Sequence, residues 1–466
     1  MRLKRCVFVA GTLLLSTQAS AALCTQAWVE GAAYPAGTAI SYASHNYTAI
    51  SDIAGQSPPA ASLWKDQGEC SGKIDLPEWD IGRVYTVGKQ VIYQGYIYQA
   101  KWYTQGENPE QSGQWDVWKN LGLPKPSVAF VQSSSWKNGA KAAYSMLHDD
   151  LCAWITDGQI DYAAPALKQR GLVAAFGMIT GTCGDKHWAA AKQFLADGNE
   201  IYSHTRNHID ARSKDWDATG QINGSSDDIA AHLAGYRPSF FAWPSDVAAD
   251  APLAYLRTAS GYIGGRAPNR IAENGGVIYD GHTGVINPAQ LADPYQVRWD
   301  LYTDQGQWSA YEEQVKAGGD LLNLHVDAAI NQGGWATRTL HGVNDGSWMS
   351  VPLAQYNIHL DYIKAKADAG LLWVAGPSSV IKYTYARDFC KATLSTTHVS
   401  TVSFDTSTPE CKKYATPISL QLYALSANGK LSARQKGKAL NLIAGPANSY
   451  FVNVDPLAGA VTLSAQ

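Results

Sequence analysis

Charge is scarce in this chain of 466 residues. Asp, Glu, Lys and Arg make up 17% of it, against roughly 25% in an average globular protein. The formal net charge is only −3. No basic run or patch matches a phosphate backbone or an anionic bilayer, so neither is an expected partner. Long apolar runs are missing beyond the N-terminus, so no membrane span is expected in the mature chain. None of the 7 cysteines forms a CxxC pair, which argues against a structural zinc site built from them.

The N-terminus has one short apolar run. Arg2, Lys4 and Arg5 precede Val7–Leu15, followed by the small-residue site Ala19-Ser20-Ala21. That is the layout of a secretory signal peptide, too short to span a bilayer, with cleavage expected after Ala21. Leu23 fits poorly as the residue before a lipidated Cys24. Residues 1–21 are therefore read as a signal peptide, and the mature protein as extracellular or periplasmic. Cleavage removes Cys6 and leaves an even set, as disulfides in an exported chain require. Six cysteines allow 15 pairings. Sequence neighbourhood favours Cys24–Cys70, Cys152–Cys183 and Cys390–Cys411, each inside one expected domain.

Aromatics are abundant, with 16 Trp and 25 Tyr. Flat aromatic faces suit the apolar C–H faces of sugar rings, although composition alone equally fits aromatic-rich β cores. An internal repeat is more informative. Trp28, Tyr34, Gly37, Tyr42, Tyr47, Pro58 and Trp64 recur at a constant offset of 51 as Trp79, Tyr85, Gly88, Tyr93, Tyr98, Pro109 and Trp115. Alternating runs such as Gln90–Tyr93 and Tyr96–Tyr98 read as small β-sheets. Two modules are expected, 22–72 and 77–122. Leu123-Pro124-Lys125-Pro126 reads as a stiff linker.

From 127 to 393 the pattern becomes β/α alternation. Strand-like runs at Ala143–Leu147, Leu172–Ile179, Glu200–Ser203, Ser239–Trp243 and Tyr262–Gly264 alternate with helical patterns such as His187–Asp197 and Ala251–Ser260. Such repeats predict a parallel sheet closing into a distorted (β/α) barrel, with catalytic groups just after the strands. Residues 394–466, Thr- and Ser-rich with alternating segments, read as a C-terminal β-sandwich-like appendage. The expected fold class is thus multidomain, with small β modules, a barrel and a β appendage.

Two strand ends carry the chemistry. One ends in Leu147-His148-Asp149-Asp150 and a later one in Ser203-His204-Thr205-Arg206-Asn207-His208. One carboxylate and two imidazoles make a three-ligand set that leaves positions open on a divalent ion, as catalytic zinc requires. A second, adjacent carboxylate can serve as general base.

Ala100-Lys101-Trp102-Tyr103-Thr104-Gln105-Gly106 resembles the signature of the chitin-binding modules of carbohydrate-binding families 5 and 12. The resemblance implies that Trp102 and Tyr103 are exposed and stack on N-acetylglucosamine rings. In the first copy, Ser51 and Asp52 stand in their place. The strand-end motifs resemble those of the polysaccharide deacetylases of carbohydrate esterase family 4, the NodB-homology proteins. The resemblance covers roughly 127–393 and implies Asp149 as base, Asp150, His204 and His208 as ligands of Zn2+ or another divalent metal, and His341 as general acid. The family's Arg-Pro-Pro-Tyr motif is replaced here by Phe241-Ala242-Trp243-Pro244-Ser245. Trp243 is then expected to shape the sugar subsite, a backbone N–H near Ser245 to steady the oxyanion, and Arg298 to substitute for the missing arginine beside Asp149. His325, in a helical pattern, is the competing histidine and is expected to be structural.

The expected activity is removal of N-acetyl groups from chitin or chitooligosaccharides by a monomer acting without nucleic acid or membrane. Acetylxylan esterase, peptidoglycan deacetylase and non-catalytic chitin adhesin are the alternatives.

Overall fold

The computed structural model describes residues 22–25, 28, 32–42, 45–59, 62–73, 76–94, 96–122, 128–153, 157–395, 400–424, 431–446 and 449–465. The expected signal peptide and the Leu123–Pro126 linker lie outside these residues. No helix among the described residues is long and apolar enough to cross a membrane.

Each N-terminal module is built on a three-stranded antiparallel meander, which in the first module gains a fourth strand, Ala22–Cys24, parallel to Trp64–Lys73. The meander strands are Ala39–Tyr42, His45–Ala49 and Trp64–Lys73 in the first, and Gln90–Tyr93, Tyr96–Ala100 and Trp118–Gly122 in the second. Gly37 and Gly88 adopt the same left-handed turn, at φ 86° and 84°. Their N–H groups donate to Ala49 and Ala100. The cores are also equivalent: Tyr34 packs edge-on to Trp64, and Tyr85 to Trp118. This corrects one match in the repeat. Trp64 is 2% exposed and its structural counterpart is Trp118, also 2%, whereas Trp115 is 83% exposed. The spacing from the buried proline to the buried tryptophan is three residues longer in the second module. That extra length lifts Trp115 out of the core.

The central domain holds eight parallel strands: β1 (Ala142–Leu151), β2 (Ala175–Met178), β3 (Glu200–Ser203), β4 (Phe240–Phe241), β5 (Gly264–Gly265), β6 (Asp300–Leu301), β7 (Trp335–Leu340) and β8 (Leu372–Val374). Their order is β5-β4-β3-β2-β1-β7-β6, with β8 against the start of β1. Backbone bridges from Arg266 to Val297 and from His282 to Trp299 draw the β5 and β6 ends together. The result is the distorted (β/α) barrel expected. Helices cover most connections, but β5 is followed by a short hairpin, Arg270–Ile271 with Val277–Ile278.

Strand alternation explains what faces where. On β1, Tyr144 and Met146 pack under the helices with Phe176, Leu360 and Ile363. Ala143 and Leu147 instead pack on the other face with Tyr202, Phe240 and Trp335. Asp149 continues that second row, so its carboxylate points inward. Fully burying a large aromatic such as Trp335 contributes about 1.5–3 kcal/mol or more, so a one-residue slip that exchanged the faces would be strongly resisted.

The C-terminal region forms two antiparallel sheets around one core that includes Val402, Leu420, Val452, Val461 and Leu463. One sheet also takes Val128–Ser133, from before the barrel, beside Ile418–Ala424. The β appendage therefore includes chain on both sides of the barrel, a pairing that periodicity could not reveal. All three expected disulfides are present, Cys24–Cys70, Cys152–Cys183 and Cys390–Cys411.

Candidate active site and sugar-binding surface

Asp149 and Asp150 end β1, His204 follows β3, Trp243 and Ser245 follow β4, and His341 follows β7. Consecutive strand residues normally face opposite sides. Asp150 escapes that constraint because its φ is +67°, where the β1–β2 register shifts between His148 and Leu151. Thr205 and His208 are also left-handed, at φ 69° and 52°. The Thr205 hydroxyl accepts from the His208 N–H at 3.0 Å. The two histidines therefore lie on a tight loop rather than a helix. Left-handed non-glycine residues each cost on the order of 1–3 kcal/mol and concentrate at functional sites.

These turns gather Asp150, His204 and His208 into a cluster whose ligand atoms all lie within 4.8 Å of one another. Asp150 Oδ1 lies 3.4 Å from Nε2 of each histidine, and the two Nε2 atoms are 3.2 Å apart. His204 Nδ1 donates to the Ala242 carbonyl at 3.1 Å, which directs the Nε2 lone pair towards the cluster. Burial, helped by neighbouring His204, pushes His208 down to about 4, so its imidazole is neutral and able to ligate. His204 is itself buried, yet the carboxylates of Asp149 and Asp150 hold it above its ordinary value. One carboxylate, two imidazoles and an electrostatic demand for positive charge fit a divalent cation.

Asp149 sits beside this cluster, 3.9 Å from His204 Nε2. Burial alone would raise its carboxyl, but the adjacent Arg266 guanidinium holds it well below the usual range. Arg266 Nη1 donates to Asp149 Oδ2 at 2.5 Å and to Thr339 Oγ1 at 3.1 Å. Its Nη2 donates to Asp246, and its guanidinium lies over the Trp299 ring at 4.4 Å. Burial raises the Asp246 carboxyl against that pull. The Tyr202 hydroxyl donates to the other Asp149 oxygen. Both oxygens of the base candidate are thus fixed.

The arginine beside Asp149 is therefore Arg266, in place of the expected Arg298. The Arg298 side chain contributes to the electrostatics of Asp280 instead. The signal for Arg266 was present: it lies two residues past the strand-like run Tyr262–Gly264, where a barrel places functional groups. Trp243 also departs from expectation. It is 1% exposed and packs against Phe241 and Trp216, so it supports the loop from below and offers no sugar platform. Ser245 is exposed on that loop at φ +54°.

His341 Nε2 lies 3.9 Å from Asp150 Oδ2, and its ring meets Trp348 edge-on. His341 is held through its backbone: its carbonyl accepts from His148 Nδ1 at 3.0 Å, and His148 Nε2 bonds Tyr356 at 3.0 Å. The Gln159 amide bonds the Asp149 carbonyl and also reaches that of His341, at 3.4 Å. Cys152–Cys183 anchors the chain just beyond Asp150. His325, by contrast, is fully buried in the helix Leu321–Gln332.

On the second module, Trp102 is 47% and Tyr103 63% exposed. Trp79, Trp102 and Trp115 line a groove of about 720 Å³ whose polar side chains include Glu107, Asn108 and Gln111. Exposed aromatics beside hydrogen-bonding groups suit a ligand with alternating apolar faces and hydroxyls.

Comparison with known proteins matches residues 139–260 to the family model of polysaccharide deacetylase. Residues 78–119 match carbohydrate-binding module family 5/12. A stretch of 45 residues is 47% identical to chitinase A of Pseudoalteromonas piscicida, covering 10% of this chain and 5% of that protein. Among solved structures, a family 4 acetyl xylan esterase from Clostridium thermocellum, in complex with a cobalt ion, aligns at 12% identity and a TM-score of 0.31. That alignment covers 51% of this chain and 89% of that one. A peptidoglycan deacetylase from Bacillus subtilis aligns at 17% identity and a TM-score of 0.30, again over 51% and 89%.

Proposed function

Because the chain carries a polysaccharide deacetylase domain behind a carbohydrate-binding module of family 5/12, we propose that it is an exported, metal-dependent deacetylase that hydrolyses N-acetyl groups of chitin or chitooligosaccharides. The observation that carries this reading is the convergence of Asp149, Asp150, His204, His208 and His341 at the ends of three barrel strands.

Asp150, His204 and His208 would hold the divalent ion, Zn2+ being the natural choice for this donor set. When bound, the ion polarises the acetyl carbonyl and lowers the pKa of the attacking water. Asp149 takes that water's proton at the carboxylate that Arg266 and Tyr202 orient. A backbone N–H near Ser245 steadies the developing oxyanion. His341, whose Nε2 lies 3.9 Å from Asp150 Oδ2, delivers a proton to the departing sugar nitrogen. The products are acetate and a glucosamine unit. Trp102 and Tyr103 tether the enzyme to its polymer and raise the local substrate concentration.

Acetate release measured in parallel from chitooligomers, acetylxylan and peptidoglycan tests the assignment. Preference for the chitooligomers is expected. Preference for either other substrate would reassign the activity within the same chemistry. Chitin binding without acetate release from any of them would make the protein a non-catalytic adhesin.

A further inference from the structure

Two tryptophans on the catalytic rim of the barrel stand in solvent on well-braced loops. Trp308, after β6, is 61% exposed and Trp348, after β7, is 50% exposed. Their rings are nearly parallel, 16° apart with centroids at 6.4 Å. Trp348 also stands edge-on to His341 at 5.1 Å, and His341 lies 3.9 Å from Asp150. The aromatic surface thus begins one side chain from the metal-ligand cluster.

Neither position results from a slack loop. In the Trp348 loop the Asp345 carboxylate accepts from the N–H groups of Gly158 and Ser347 and from the Ser347 hydroxyl. Gly342 N–H donates to Ser347 Oγ, and Val351 N–H to the Gly342 carbonyl. A Cβ at Gly342 would come within 2.1 Å of Asp345, so the turn requires glycine. On the other loop, Trp308 has φ +64°, a conformation costing a bulky side chain on the order of 1–3 kcal/mol. The next residue, Ser309, donates to Asp300 at 2.7 Å, and Asp300 is locked in a fully buried ion pair with Arg338. Two indoles held in water, one of them at a cost in backbone strain, add little to stability, and an aligned pair beside reactive groups reads as a binding surface.

We propose that Trp308 and Trp348 form a sugar subsite adjoining the catalytic centre, stacking on the C–H face of the pyranose next to the one that reacts. The occupant is one ring of a β-linked, equatorially substituted hexosamine chain, the class whose two faces present axial C–H groups to an aromatic plane. The inference rests on the deacetylase reading. It adds a determinant of chain-length preference, since a ligand too short to reach the indoles gains nothing from them.

The test uses the full-length protein and its Trp308→Ala, Trp308→Tyr and Trp348→Ala variants, with N-acetylglucosamine oligomers of increasing length. Trp308 does the deciding, because Trp348 also touches His341. Trp308→Ala should raise KM roughly 3–10-fold for oligomers that reach the subsite, the size of one aromatic stacking contact. The shortest oligomer should be unaffected, the loss should lie in KM rather than kcat, and Trp308→Tyr should recover most of it. An equal loss at every length, or a fall in kcat with KM unmoved, would overturn the subsite. If the wild type releases no acetate from any oligomer, the deacetylase reading fails instead. The subsite is then decided by titration calorimetry in a Trp102→Ala/Tyr103→Ala background, where Trp308→Ala must weaken oligomer binding or the proposal falls.

Discussion

Replacing Arg266 with Leu removes the charge at the centre of the site. The guanidinium is 1% exposed and bridges Asp149 and Asp246 while lying on Trp299. Without it the buried Asp149 carboxylate and the half-buried Asp246 carboxylate lie close together without the guanidinium that bridges them. Breaking a buried ion pair by removing one partner costs about 3–5 kcal/mol. That is a large share of the 5–15 kcal/mol that stabilises a typical domain. Arg266→Lys keeps a charge but cannot reach both carboxylates with a rigid fork, so it should recover about half the loss. Adding Asp246→Asn to Arg266→Leu should also restore stability, because one uncompensated charge disappears. Urea unfolding followed by tryptophan fluorescence reads the stability, and acetate release reads the activity. With Asp149 no longer oriented, kcat/KM should fall about 10²–10⁴-fold, the contribution of a positioned general base. Arg298→Leu is the comparison. The argument collapses if Arg266→Leu stays within about 1 kcal/mol of wild type and remains active while Arg298→Leu does not.

Other expectations are more direct. Metal analysis should find about one divalent ion per chain; chelation should abolish turnover and His204→Ala should lose the ion, whereas full activity in metal-free protein would end the hydrolytic scheme. His341→Ala should slow turnover roughly 10²–10⁴-fold with the metal retained, while His325→Ala should lower the melting temperature rather than the rate; the opposite pattern would reassign the acid. Trp102→Ala with Tyr103→Ala should weaken adsorption to solid chitin and confine the kinetic loss to insoluble substrate; an equal loss on short oligomers would place the module inside the active site. At the base of β3, burial lifts Glu200 to about 7, although its carboxylate accepts from the Ser378 N–H at a helix N-terminus. A carboxyl raised above its unfolded value of about 4.5 favours folding fully below that value and progressively less as pH rises to 7, by about 1.4 kcal/mol per unit. Glu200→Gln should flatten this decline and unfold at a higher temperature than wild type at pH 8; an unchanged pH profile would remove Glu200 as its source.

Much of this protein is decided by local sequence. The β/α alternation and the strand ends at Asp149, His204 and His341 follow from side-chain periodicity, which requires only near neighbours. The three disulfides follow from cysteines close in sequence within one folding unit. The repeat is legible for the same reason, except at Trp115. Whether an indole is buried there depends on how the inserted residues loop out, and Trp118 wins the core position. What only the tertiary structure decided concerns partners distant along the chain. Arg266 reaches Asp149 across 117 residues; its place just past a strand-like run makes it a candidate, but only the folded β5 end and the buried space beside Trp299 pair it with Asp149. Trp243 looked like part of a sugar subsite because it stands where the resemblance places the family's Arg-Pro-Pro-Tyr motif, yet the fold turns its ring into the Phe241–Trp216 packing. The left-handed backbone at Asp150 and His208 is equally invisible in the letters Asp and His. Local periodicity can say which strand end a residue occupies, but which way its side chain turns there is settled by the packing of segments that meet only in the folded barrel.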